Sequence, residues 1–218
     1  MAKCDANWPG NLRKTTELER PAHSRLEAVD RVYFVGEYTT GANWRHSATN
    51  QLIFNLKKRP SLRGTLQYQH KFRAIADAGK AIGGGLKPAS RQLLTFVPIS
   101  PSKLPADEDY DDRMALVAQA IGPDVRRMIT LGEARDAAHE KTTARDPMVL
   151  KAKLRLDPAM LEPRPRMIAL VDDLLTTGCS FKACQSLIAD HLPDGPVIGL
   201  FVARRKPRSP FGDFDPDL

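Results

Sequence analysis

At 218 residues, 42% of them hydrophobic and 27% charged, the chain can bury a real core as one compact domain with an added segment or as two small domains. No apolar run approaches the ~20 residues that cross a bilayer, which argues against a helical membrane protein. A formal net charge of +7 favours an anionic partner, whether a phosphorylated small molecule, nucleic acid or an acidic surface. The basic clusters Lys57-Lys58-Arg59, Arg126-Arg127 and Arg204-Arg205-Lys206 are short and separated, so they read as solvated surface more than as a nucleic-acid stripe. The opening MAKCDANWPGNLRKTTELER has no apolar stretch of the secretory kind, and three cysteines (Cys4, Cys179 and Cys184) cannot all pair. A reducing, cytoplasmic setting is therefore expected.

In chain order, RVYFVGEYTT (31–40) reads as a strand ending in a Gly41-Ala42-Asn43 turn. ATNQLIFNLKKR fits a short helix with Leu52, Ile53 and Leu56 on one side, and fits a strand as well. LQYQHKFRAIADAGKAI predicts a helix with Phe72, Ile75, Gly79 and Ile82 on its buried face, stopped by Gly83-Gly84-Gly85. QLLTFVPI (92–99) is a continuous apolar run, as in a strand covered on both faces of a parallel sheet. A polar loop, SPSKLPADEDYDD, precedes a helix over RMALVAQAIG with Met114, Val117 and Ile121 inward. RRMITLG (126–132) predicts a second core strand, followed by a long polar stretch from Glu133 onward with a helix or strand inside it. MIALV is the third strand, the next helix carries Phe181, Cys184, Leu187 and Ile188 on one face, and PVIGLFVA (196–203) is the fourth strand. This alternation predicts an α/β fold with a parallel sheet and right-handed crossovers.

In such a sheet, ligands bind beyond the carboxyl ends of the strands, which brings together SPSK after the first core strand and DDLLTTGCS after the third. In the second loop Thr176, Thr177 and Ser180 offer hydroxyls, Gly178 permits a tight turn, and the following helix presents unpaired N–H groups. An anion belongs there. Asp172 and Asp173 would repel a phosphate in direct contact but would accept hydrogen bonds from hydroxyls beside it, so a sugar phosphate satisfies both features.

ALVDDLLTTGCSF resembles the phosphoribosyl-diphosphate (PRPP) binding motif of the type I phosphoribosyltransferases, a hydrophobic strand, two acids, two variable positions, Thr-Gly and a hydroxyl residue, unbroken from Val171 to Ser180. The layout over 63–206 is most similar to the competence-associated, amidophosphoribosyltransferase-like subgroup, without that subgroup's frequent zinc-binding cysteines. The resemblance implies a parallel-sheet core with helices on both faces over 63–206. Residues 1–62 would be an N-terminal extension, a hood over the base or a partner-binding segment, and 207–218 a tail. It implies that Asp172 and Asp173 hold the ribose 2- and 3-hydroxyls, directly or through a magnesium ion. Thr176, Thr177, Gly178, Cys179 and Ser180 would wrap the 5-phosphate, and Ser100, Ser102 and Lys103 would contact the diphosphate. Arg135, His139, Lys141 and Arg145 belong to the stretch that would close over it.

The implied reaction is attack of a nitrogen nucleophile on the anomeric carbon with pyrophosphate leaving, the base being unidentified and a homodimer left open. In place of that transfer, the same site would serve a PRPP-sensing regulator without turnover. A nucleic-acid-associated module on the same fold is the less favoured alternative. Tyr38, Trp44 and Phe54 could stack on a base, although a small core suits them better. The acidic DEDYDD (107–112), close to where a diphosphate should lie, is the feature that the resemblance does not explain.

Overall fold

The computed structural model describes residues 11–132 and 146–206, and it is α/β. The elements are β1 (Arg13–Lys14), β2 (Val32–Thr39), α1 (Ala48–Leu56), α2 (Leu66–Gly84), α3 (Pro88–Leu93), β3 (Leu94–Pro98) and α4 (Arg113–Ile121). They continue as β4 (Ile129–Leu131), α5 (Pro147–Ala152), β5 (Leu154–Leu156), β6 (Met167–Leu175), α6 (Cys179–His191) and β7 (Val197–Lys206). The main sheet has the order β1-β2-β7-β6-β3; β1 is antiparallel at one edge and the other four strands are parallel.

Burial on both faces explains the apolar runs. On β6, Ile168 and Leu170 pack in the layer of Phe181, Cys184 and Ile188 from α6, whereas Ala169 and Val171 pack in the layer built by α1, α2 and α4. All residues of β3 are buried. α4 follows β3 on one face and α6 follows β6 on the other, so the carboxyl ends of these two neighbouring strands frame the crevice where a doubly covered sheet binds ligands. Among the described residues no helix is long and apolar enough to cross a membrane.

Several expectations change. The stretch 126–132 contains a strand, β4, whose Ile129 and Leu131 are buried, but it is not a strand of the main sheet. Only Val125 bridges β3, at Phe96, after which the chain leaves the sheet and β4 pairs antiparallel with β5 in a separate two-stranded sheet. Arg126 turns the chain away by gripping Asp124 while donating to the carbonyls of Met160 and Pro163 at 2.8 Å each. The front segment is not separate from the core, because β2 pairs with β7 along its length and buries Val32 and Phe34 against the α6 face. ATNQLIFNL is a helix, α1, capped by Ser47, whose hydroxyl accepts from the Asn50 amide. Phe72 is 59% exposed; the buried stripe of α2 runs through Tyr68, Lys71, Ile75, Gly79 and Ile82 instead.

Gly79 sets the distance between α2 and α4. A Cβ there would lie 2.4 Å from the Ala120 Cβ and 3.2 Å from the Val117 carbonyl. Gly79→Ala should therefore push the helices apart and cost ~1–3 kcal/mol in urea unfolding, in spite of alanine's better helix propensity. A neutral or stabilising result would show that the two helices are less tightly apposed.

Candidate functional site

Beyond the carboxyl ends of β3 and β6 lies a cavity of about 430 Å³. Ser100, Ser102 and Lys103 reach it from the loop after β3, Asp172 and Asp173 from β6, and Ser180 from the first turn of α6. Its remaining wall includes Lys57 and Arg59 after α1, Asp109 to Arg113 before and at the start of α4, and Arg127. The expected partners thus surround one space. Thr176, Thr177, Gly178 and Cys179 adjoin it without lining it, and Arg135, His139, Lys141 and Arg145 lie outside the described residues.

Asp172 and Asp173 lie within β6, which keeps one register with β7 on either side of them. Val171 and Leu174 pack against the α1–α2–α4 layer and Leu175 against the other. The ladder to β7 pairs Asp172 with Phe201 and Leu174 with Ala203, and the Asp173 amide donates to Asp172 Oδ1 at 2.8 Å.

The adjacent carboxylates have different surroundings. Asp173 Oδ2 accepts from Arg113 Nε at 3.1 Å and Nη2 at 2.6 Å, and Lys57 Nζ is 3.3 Å from its Oδ1. Burial alone would raise the Asp173 pKa, but Arg113 and Lys57 outweigh it and hold the group below the ordinary carboxylate range. Burial and the neighbouring charge of Asp173 push Asp172 up to about 7. Arg113 is driven above its usual value by Asp173 and Asp111 against the opposing effect of burial. Among the described residues, nothing donates to Asp172 Oδ2 or to one lone pair of Asp173 Oδ1, which is room for two hydroxyl donors.

The turn after β6 is braced from behind. Gly178 sits at φ 85° as the N-cap of α6, a conformation that a side chain would strain, with Leu26 packed under it. The buried His23 ring donates from Nδ1 to the Thr176 carbonyl, and the Arg25 amide donates to the Thr177 carbonyl at 2.9 Å. Lys182 of α6 pairs with Asp30, closing this strap. Burial lowers the His23 pKa, which favours the neutral ring. These contacts use carbonyls on one side of the turn, whereas Ser180 faces the cavity and the Cys179 amide at the start of α6 donates to Thr177 Oγ1 at 3.3 Å. Cys179 contributes to the core, not to the cavity wall.

The acidic stretch is largely neutralised by cations. Asp107 pairs with Lys103 at 3.2 Å, Asp112 with Arg127 at 3.2 Å, and Asp111 with both Lys71 and Arg113. Lys103, the cation expected to meet the diphosphate, and Arg127 beside it are thus held by aspartates. The basic clusters are not simply solvated surface either, since Lys57, Arg59 and Arg127 line the cavity and Arg204 is buried against Glu19 and Glu37. Lys57, Arg113, Lys71 and His23 were not anticipated as site residues; only the excess of cations near an acid pair hinted at them. Tyr38 and Phe54 have ring centres 6.5 Å apart and Trp44 stacks under Arg45, but none of the three lines the cavity.

As a magnesium ligand, Asp172 fits as one hard oxygen donor. Asp173 fits poorly, because two cations already face its oxygens. Among the described residues no three His, Cys, Asp or Glu side chains gather, whereas magnesium shared with a diphosphate needs only one or two carboxylates. No protein-family model matches the chain, and no curated protein matches it.

Because folding raises the Asp172 pKa from 3.8 to about 7, the folded state holds that proton more tightly than the unfolded chain. The stabilising contribution is complete below pH ~4 and is lost as pH rises towards 7. Asp172→Asn should therefore stabilise the protein by ~1–3 kcal/mol at pH 8, discounted for the solvent that reaches the side chain, and by little at pH 4. Chemical denaturation at the two pH values checks this, and equal effects at both would contradict it.

Proposed function

We propose that the protein binds PRPP in the cavity beyond β3 and β6 and transfers its phosphoribosyl group to a nitrogenous acceptor, as a type I phosphoribosyltransferase-like enzyme. The observation that carries this reading is the convergence of Ser100, Ser102, Lys103, Asp172, Asp173 and Ser180 on one 430 Å³ cavity at a topological switch point. The chain's own groups suit the parts of that ligand. Ser180 and the start of α6 meet the 5-phosphate, the free acceptor sites of Asp172 and Asp173 take the ribose hydroxyls, and Ser100 to Lys103 with Arg127 face the diphosphate.

In the transfer, the acceptor nitrogen forms a bond to the anomeric carbon as the bond to the diphosphate oxygen breaks, and the electron pair leaves with pyrophosphate. No protein nucleophile is needed. Lys103 and Arg127 neutralise charge that builds on the leaving group, and Asp172 and Asp173 orient the ribose as it becomes cation-like. Asp172 would hold magnesium, which when bound adds positive charge beside the diphosphate.

A second reading, binding without turnover, is favoured by one observation: Lys103 and Arg127 are engaged by Asp107 and Asp112, which an incoming diphosphate must displace. Asp107→Asn with Asp112→Asn should thus tighten binding of inorganic pyrophosphate several-fold in calorimetry, about 2- to 10-fold for exposed pairs. Unchanged affinity would show that these aspartates do not compete.

Calorimetry with PRPP and magnesium, followed by an assay for released pyrophosphate over a panel of purine, pyrimidine and simple amine acceptors, separates the readings. Binding with turnover is the expected result, and binding without release from any acceptor would favour the regulator. Asp172→Asn should weaken PRPP binding at least about tenfold while the protein stays folded, and unchanged affinity would remove the carboxylates from the site.

A further inference from the structure

A lysine with 2% exposure on the buried stripe of a 19-residue helix is unexpected, since an apolar residue would fill the position without desolvating a charge. Lys71 of α2 donates to two acceptors, the Lys58 carbonyl at 2.7 Å and the Asp111 carboxylate. Each leads to Asp173. Lys58 follows Lys57, whose ammonium is 3.3 Å from Asp173 Oδ1. Asp111 accepts from Arg113 Nη1 at 2.7 Å, and the same guanidinium grips Asp173 Oδ2 through Nε and Nη2. One buried ammonium therefore ties together both arms that hold the second acid of the cavity.

We infer that Lys71 is a positioning residue for ligand binding, fixing Arg113 and the 57–58 turn so that Asp173 keeps a free acceptor site aimed at the sugar. The inference rests on the proposed PRPP site and adds to it a residue that does not line the cavity. Stability alone gives a weak reason for this arrangement, because replacing a buried ion pair by apolar groups is often neutral or stabilising. Without the ammonium, Asp111 loses one of its two cations and the Lys58 carbonyl loses its side-chain donor, so the 57–58 turn keeps only its backbone hydrogen bonds to Ile53 and Asn55. Both changes free the cations to collapse onto Asp173 and occupy the acceptor site that a hydroxyl would use.

The test is a double-mutant cycle read by calorimetry with PRPP and magnesium on the full chain. Lys71→Met should weaken binding about tenfold, and should add almost nothing to the loss already caused by Asp173→Asn, because both act on the same contact. A purely structural role would lower affinity by the same factor in either background, and that result, or unchanged affinity in K71M, overturns the inference. Should K71M fail to fold, the K71M/D111N variant, which removes both charges, takes its place in the cycle with the same expectations. Absence of PRPP binding by the wild type would sink the site itself and this inference with it, whereas wild-type binding with additive losses sinks the inference alone.

Discussion

The grip of Arg113 and Lys57 on Asp173 is the interaction on which the site depends. Two carboxylates side by side at a buried strand end cannot both ionise cheaply. The two cations resolve the conflict by fixing the charge on Asp173, so its neighbour Asp172, which among the described residues neither cation contacts directly, is the group that titrates near neutrality. The pair is thereby divided into a fixed anion and an adjustable one. A ligand carrying hydroxyls, or a cation bound beside Asp172, would relieve what folding leaves unresolved.

The fold supplies each partner from a different layer. Lys57 comes from the end of α1 and Arg113 from the start of α4, both on one face of the sheet, while Ser180 opens α6 on the opposite face. Their meeting point is the crevice between β3 and β6, where the two faces come within reach of one ligand. A cation in the first turn of α4 opposes the helix dipole, and the aspartates around it offset that cost. The same aspartates offset the cations of the cavity wall.

Much of the framework was legible in the sequence because it rests on local patterns. The buried runs of β3 and β6, the inward stripe of α6 and the Asp-Asp to Ser180 turn follow from periodicity and from the chemistry of adjacent residues. What was not legible depends on distant pairing. Nothing in RRMITLG shows that Arg126 finds carbonyls at 160 and 163 and draws the chain out of the sheet. Ile75, Gly79 and Ile82 of the α2 stripe follow from periodicity, but hydrophobicity alone adds Phe72 to them, whereas Lys71 is the buried residue, for an acceptor 40 positions away. DEDYDD looked like an obstacle to anion binding because its cations come from 71, 103, 113 and 127. His23 and the strap it begins lay in a stretch with no motif, yet they shape the back of the turn.

The most direct test of the account is a crystal structure of the protein with ribose 5-phosphate. The account places the phosphate against Ser180 and the first amides of α6, with the 2- and 3-hydroxyls on Asp172 and Asp173 and the Arg113 grip intact. A sugar phosphate bound in the reverse sense, with its phosphate at Ser100 to Lys103 and its hydroxyls away from the two acids, or seated outside this cavity, would contradict it.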